Sequence, residues 1–131
     1  AARLAAERFD ENAAAAAAVR AELLAHLAAL APEIELNEPA AGIPHIVSLR
    51  VSGVRSEIML NHLSSRGICV SAGSACSAHA RHVSRAMLAF GLTETEADET
   101  IRVSISPANT PAEAASLAEA LAEGARCIRK R

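Results

Sequence analysis

Cys76, His79 and His82 bring a thiol and two imidazoles into one short stretch of chain made otherwise of Ser, Ala, Gly and one arginine. The small neighbours leave the sulfur of Cys76 accessible. A thiol attacks only as thiolate, and an ordinary one is about 3% ionised at pH 7, so a proton acceptor or a positive charge must raise that share. His79 and His82 are the nearest candidates. The same residues also read as a small-residue loop with an incidental cysteine. Spaced three apart, Cys76, His79 and His82 would converge on a helix and, with Cys69, make a weak zinc set, but no C-x-x-C or H-x-x-x-H pair accompanies them. Arg102 stands on the polar side of an apolar alternation. Its fork of donors suits a carboxylate, although an exposed charge on the wet face of a sheet is the plainer reading of the residue alone. Cys69 and Cys127 read as apolar filler, and Arg55, Glu57, Arg129, Lys130 and Arg131 as solvated charge.

The elements that must position these groups follow from periodicity. Residues 1–30 hold strong helix formers without Gly or Pro, with Leu23, Leu24, Leu27 and Leu30 on one side, and Pro32 ends the helix. An uncapped helix at the first residue suggests a chain cut from something larger. Residues 34–36 suit a short strand, and residues 45–51 alternate as a strand with Val47, Leu49 and Val51 on one side. Residues 56–66 suit a helix with Ile58, Met59 and Leu63 inward and Gly67 as its cap, followed by a short strand over 68–70. Residues 71–80 predict a mobile loop, and 84–90 a short helix closed by Gly91. Residues 100–106 give the clearest strand, with Ile101, Val103 and Ile105 set against Arg102, Ser104 and Ser106. Thr110, Pro111 and Glu113 form a capping box for a last helix running to about Ile128. The order implies an α+β fold, a small, mostly antiparallel sheet covered by helices on one face.

A chain of 131 residues, 51% of them apolar, makes one domain. Phe9 and Phe90 are its only aromatics, so the core must be aliphatic and modest. Thirteen basic and fifteen acidic residues nearly cancel without a basic face, which argues against nucleic acid. No apolar run is expected to approach a membrane span. Three cysteines form an odd, irregular set, which favours a reducing compartment and makes the cytoplasm the default.

The run from Val70 through Ser71, Ala72, Gly73, Ser74, Ala75 and Cys76 to Ser77, then Ser84 and residues 87–92, resembles the active-cysteine segment of the nitrogen-fixation and iron–sulfur-assembly cysteine desulfurases. Residues 43–47, Ser56 and Glu57 before Gly67 and Ile68, residues 101–104, and Asn109 with Thr110 extend the likeness over the whole chain. The resemblance implies the C-terminal domain of a fold-type I, pyridoxal-phosphate-dependent transferase of aminotransferase class V. Residues 1–30 would be the helix connecting a large cofactor domain to a small domain over 31–131, with the cysteine loop at 71–80. It implies that L-cysteine gives alanine and a persulfide on Cys76, which passes sulfur to an acceptor or iron–sulfur scaffold protein. Arg102 would hold the substrate carboxylate, and the full-length enzyme would be a homodimer. Pyridoxal phosphate in such enzymes forms a Schiff base with a lysine, whereas the one lysine here, Lys130, lies outside the motif. The chain alone is therefore expected to be inactive and to bind no cofactor. Ser106, where glycine is common, and Pro107 depart from the pattern. The rival readings are a selenocysteine lyase or another class V relative, and a non-catalytic binding or zinc module.

Overall fold

The computed structural model describes residues 7–38, 42–72 and 85–129. Along the chain these form α1 (Phe9–Leu30), β1 (Ile34–Leu36), β2 (Ile46–Val51), α2 (Ser56–Ser64), β3 (Ser71–Ala72), α3 (Arg85–Ala89), α4 (Glu94–Asp98), β4 (Thr100–Ser104) and α5 (Pro111–Ile128). The strands make one antiparallel sheet in the order β1-β2-β4-β3. Val47, Leu49 and Val51 of β2 and Ile101 and Val103 of β4 are buried on one face. They share a core with Leu23 and Leu27 of α1, Met59 and Leu63 of α2, and Leu117 and Leu121 of α5. The α+β sheet covered on one face is the architecture that strand and helix periodicity predict.

In α1 the buried positions are Ala16, Val19, Leu23 and Leu27, one stripe at helical spacing. Leu24 is half-buried, and Leu30, in the last turn, stays exposed. This 22-residue helix, with a mean hydropathy of 1.5, is long and apolar enough by composition to cross a membrane. That corrects the expectation that no run approaches such a length. Alanine accounts for the difference, since it scores as apolar on a hydropathy scale while its methyl group buries little area. Here the stripe packs against α5.

Two helix ends are set by glycine. At the end of α2, Gly67 adopts φ +74°, and the Ile68 and Gly67 amides donate to the carbonyls of Leu63 and Ser64 at 3.0 and 2.9 Å. Gly91, at φ +101°, closes α3 in the same way through Leu92 and Met87. The first turn ties Ile68 to Leu63, and residues 68–70 form no strand; pairing with β4 begins only at Ser71. Residues 71 and 72, expected in the loop, belong to β3 instead, and residues 73–80 lie outside the described residues. Ile58 is exposed while Met59 is buried, because adjacent helical residues point about 100° apart. A helix absent from the sequence reading, α4, opens with a capping box between Thr93 and Glu96. The box at Thr110 and Glu113 stands as expected.

Gly124 lets α5 approach α2 closely. A Cβ there would lie 2.9 Å from both the Met59 sulfur and Cδ2 of His62, and the His62 ring is held by Nε2 against the Ala120 carbonyl at 3.0 Å. Gly124→Val is expected to destabilise the fold by about 1–3 kcal/mol through overpacking. Urea unfolding should show a lower midpoint at unchanged slope.

The capping boxes make stability depend on acid. Glu96 is held below the usual carboxylate range by the Thr93 backbone amide, then by the Thr93 hydroxyl and the charge of Arg50. Glu113 is depressed likewise by the Thr110 amide and then by Asn109. Both carboxylates titrate lower folded than unfolded, so their contribution is complete above the unfolded value and disappears as pH falls through the folded one. Stability should therefore fall below about pH 4.5. A variant carrying Glu96→Gln and Glu113→Gln should lose less stability over that range than the parent does, as followed by thermal melts at stepped pH.

Candidate functional site

The face of the sheet away from α1, α2 and α5 carries the chain's best-defined polar arrangement. Its end near α4 is closed by charge. Arg50 of β2 binds Glu96 at 2.8 Å, Glu35 at 3.1 Å and Glu99 at 3.1 Å. Thr100, fully buried beneath α4, donates its hydroxyl to the Glu96 carbonyl at 2.7 Å. Asn37 donates from Nδ2 to Thr100 Oγ1 at 3.2 Å and to Ser48 Oγ at 3.4 Å.

The middle of this face is open, and Arg102 stands there, exposed. Its register partners are Ser48 on β2 and Ser71 on β3, so the residue on either side of it across the sheet ends in a short hydroxyl. Arg20, Arg50, Arg55 and Arg66 each pair with a carboxylate. Among the described residues Arg102 pairs with none. The sequence reading singled out Arg102 and missed Ser48, Ser71 and Asn37; the shared side is visible from strand alternation, but the juxtaposition needs the register.

Cys76, His79 and His82 lie outside the described residues. Among those described, no group of three or more His, Cys, Asp or Glu side chains is placed to hold a metal ion. Cys69 and Cys127 are exposed, which corrects their reading as inward filler. Ile68 and Val70 are the half-buried members of their stretch, leaving Cys69 turned outward. It lines a cleft of about 470 Å³ with Val19 and Leu23 of α1 and Glu113 and Leu117 of α5. Cys127 lines a second hollow with Gly53, Arg55 and Ile58. Val103 and Ser104 of β4 also border the first of these clefts.

A Schiff-base site for pyridoxal phosphate needs a lysine amine, and the described residues include none. They do not fit the cofactor's anchoring chemistry. What they offer is a guanidinium with hydroxyl neighbours, a receptor for an anion rather than a means of activating an amino acid.

Known proteins give this geometry a context. A cysteine desulfurase named IscS from Clostridium botulinum is 31% identical over 110 residues, which is 82% of this chain and 28% of that protein. A cysteine desulfurase from a Frankia species is 34% identical over 97 residues, 73% of this chain and 23% of that protein. The chain thus spans about a quarter of the length of the curated relatives it matches. A NifS-like protein from Rickettsia africae, solved by X-ray crystallography, superposes with a TM-score of 0.77 at 23% identity, over 92% of this chain and 31% of that one, and shows the shared fold. The model of the aminotransferase class-V family matches residues 1–117, and the chain belongs to that family.

Proposed function

We propose that this chain is the thiol-bearing domain of a pyridoxal-phosphate-dependent cysteine desulfurase, with Cys76 as sulfur acceptor and Arg102 as holder of the substrate carboxylate. The observation that carries the reading is Arg102 itself, an exposed arginine in the middle of the sheet that pairs with no carboxylate among the described residues. Its neighbour on one side is the strand that leads to the cysteine. The chain leaves β3 at Ala72, four residues before Cys76. Four residues reach about 14 Å at most, so a thiol at Cys76 is tethered near anything that Arg102 binds.

The transfer balances without an oxidant. The Cys76 thiolate attacks the sulfur of bound L-cysteine, an S–S bond forms, the substrate C–S bond breaks, and a proton replaces sulfur on the carbon to leave alanine. Pyridoxal phosphate, when bound, supplies the electron sink for that C–S cleavage. The lysine that holds it belongs to the part of the relatives' length that this chain does not span, and the chain alone is inactive on this reading. The persulfide would pass to an acceptor, in this proposal a scaffold for iron–sulfur cluster assembly, with the full-length enzyme a homodimer in the cytoplasm.

Mass spectrometry of the full-length enzyme after exposure to L-cysteine should find one added sulfur on the peptide containing Cys76, and Cys76→Ser should abolish it. Sulfur retained on Cys69 or Cys127 with undiminished turnover would refute the assignment. Arg102→Ala should raise KM for L-cysteine by about tenfold or more through loss of a charge-assisted clamp, as read from steady-state alanine production. Unchanged kinetics would return Arg102 to the role of a surface charge.

A further inference from the structure

We infer that Ser48 is a second binding residue for the substrate carboxylate, donating its hydroxyl beside Arg102; this rests on the reading of Arg102 given above. Ser48 and Arg102 are direct register partners across β2 and β4, on the same face. Directly opposed residues in antiparallel strands bring their Cβ atoms to about 5 Å. An anion held side-on by the Nε edge of the guanidinium, the edge nearer the strand, comes within range of the serine oxygen.

The direction of the hydroxyl is set from behind. Asn37 offers Nδ2 to both Ser48 and Thr100, and Thr100 passes its own proton to the Glu96 carbonyl. An amide nitrogen only donates, so Ser48 Oγ accepts from Asn37 and keeps its O–H to give elsewhere. Among the described residues no hydrogen-bond acceptor takes that proton. With one of its two lone pairs engaged by Asn37, the Ser48 hydroxyl keeps a proton to donate, next to a guanidinium that pairs with no carboxylate among the described residues. Both groups call for the same ligand, a carboxylate.

A glutamate at position 48 would behave differently. Placed opposite Arg102, it would pair with the guanidinium and compete with substrate. Serine leaves the guanidinium open while adding a donor.

Steady-state kinetics of the full-length enzyme with L-cysteine test this through the split between KM and kcat. Ser48→Ala should raise KM about tenfold with kcat within about twofold of the parent, Ser48→Thr should restore KM by returning the hydroxyl, and Ser48→Glu should raise KM beyond Ser48→Ala. Thermal melts of the three variants identify any that misfold, and the comparison between Ala and Thr then decides. If Ser48→Ala leaves KM unchanged while Arg102→Ala raises it, the inference on Ser48 fails and the reading of Arg102 survives. If Arg102→Ala also leaves KM unchanged, both fall.

Discussion

The alternation of β4 couples the core to the site. Ile101 and Val103 are buried under the helices, and in a strand that burial turns Arg102 to the opposite face. Burying a Val or Ile side chain contributes about 1.5–3 kcal/mol, and β2 adds three more such positions facing the same way. A slip of one residue would exchange these for Arg102 and Ser104 in the core, leaving an unpaired charge out of water. Hydrophobic burial therefore locks the register, and the register places Ser48, Arg102 and Ser71 in a row. The position of the guanidinium is a by-product of apolar packing on the other side of the same strand.

Two arginines on that open face meet different fates for a local reason. Arg50 lies where α4 folds over the end of the sheet, and α4 is anchored by its own cap. Glu96 closes the capping box with one carboxylate oxygen on the Thr93 amide and turns the other to Arg50. One acid thus fixes both a helix start and a cation. Arg102, two residues along β4 from Thr100, lies clear of α4, where Ser48 and Ser71 bring no charge. The same residue type serves as a strut in one place and, among the described residues, stands without a carboxylate partner in the other, decided by whether a capped helix delivers carboxylates to it.

Much of this was legible in the sequence because it depends on local rules. Strand alternation gave the buried rows of β2 and β4, and the Thr110-Pro111-Glu113 signal gave the start of α5. Gly67 and Gly91 marked the ends of α2 and α3 because a left-handed residue is needed there. The same rule applied at Thr93 and Glu96 would have revealed α4, a five-residue helix too short to show periodicity. The strand over 68–70 was misread because Ile68, Cys69 and Val70 have strand-like composition, while the glycine turn before them ties Ile68 back to α2. Cys69 and Cys127 were assigned inward on residue type alone, and cysteine sits equally well facing a surface cleft. The row of Ser48, Arg102 and Ser71 was out of reach in principle, because it spans three strands and depends on pairings that no single segment encodes.

Accessibility does not separate the thiols, since Cys69 and Cys127 are exposed. Their surroundings differ. Cys69 opens into a cleft between α1 and α5, and Cys127 occupies the last turn of α5 beside Arg55 and Ile58. Arg102 projects from the exposed side of β4, and Ser104, on that same side of the strand, also borders the Cys69 cleft. A transferring thiolate has to approach the substrate sulfur to bonding distance, so on the proposed reading the acceptor must reach the face that carries Arg102. Sequence distance does not choose between the candidates either: Cys69 lies two residues before Ser71 and Cys76 four residues after Ala72, both a short tether from the strand that borders Arg102.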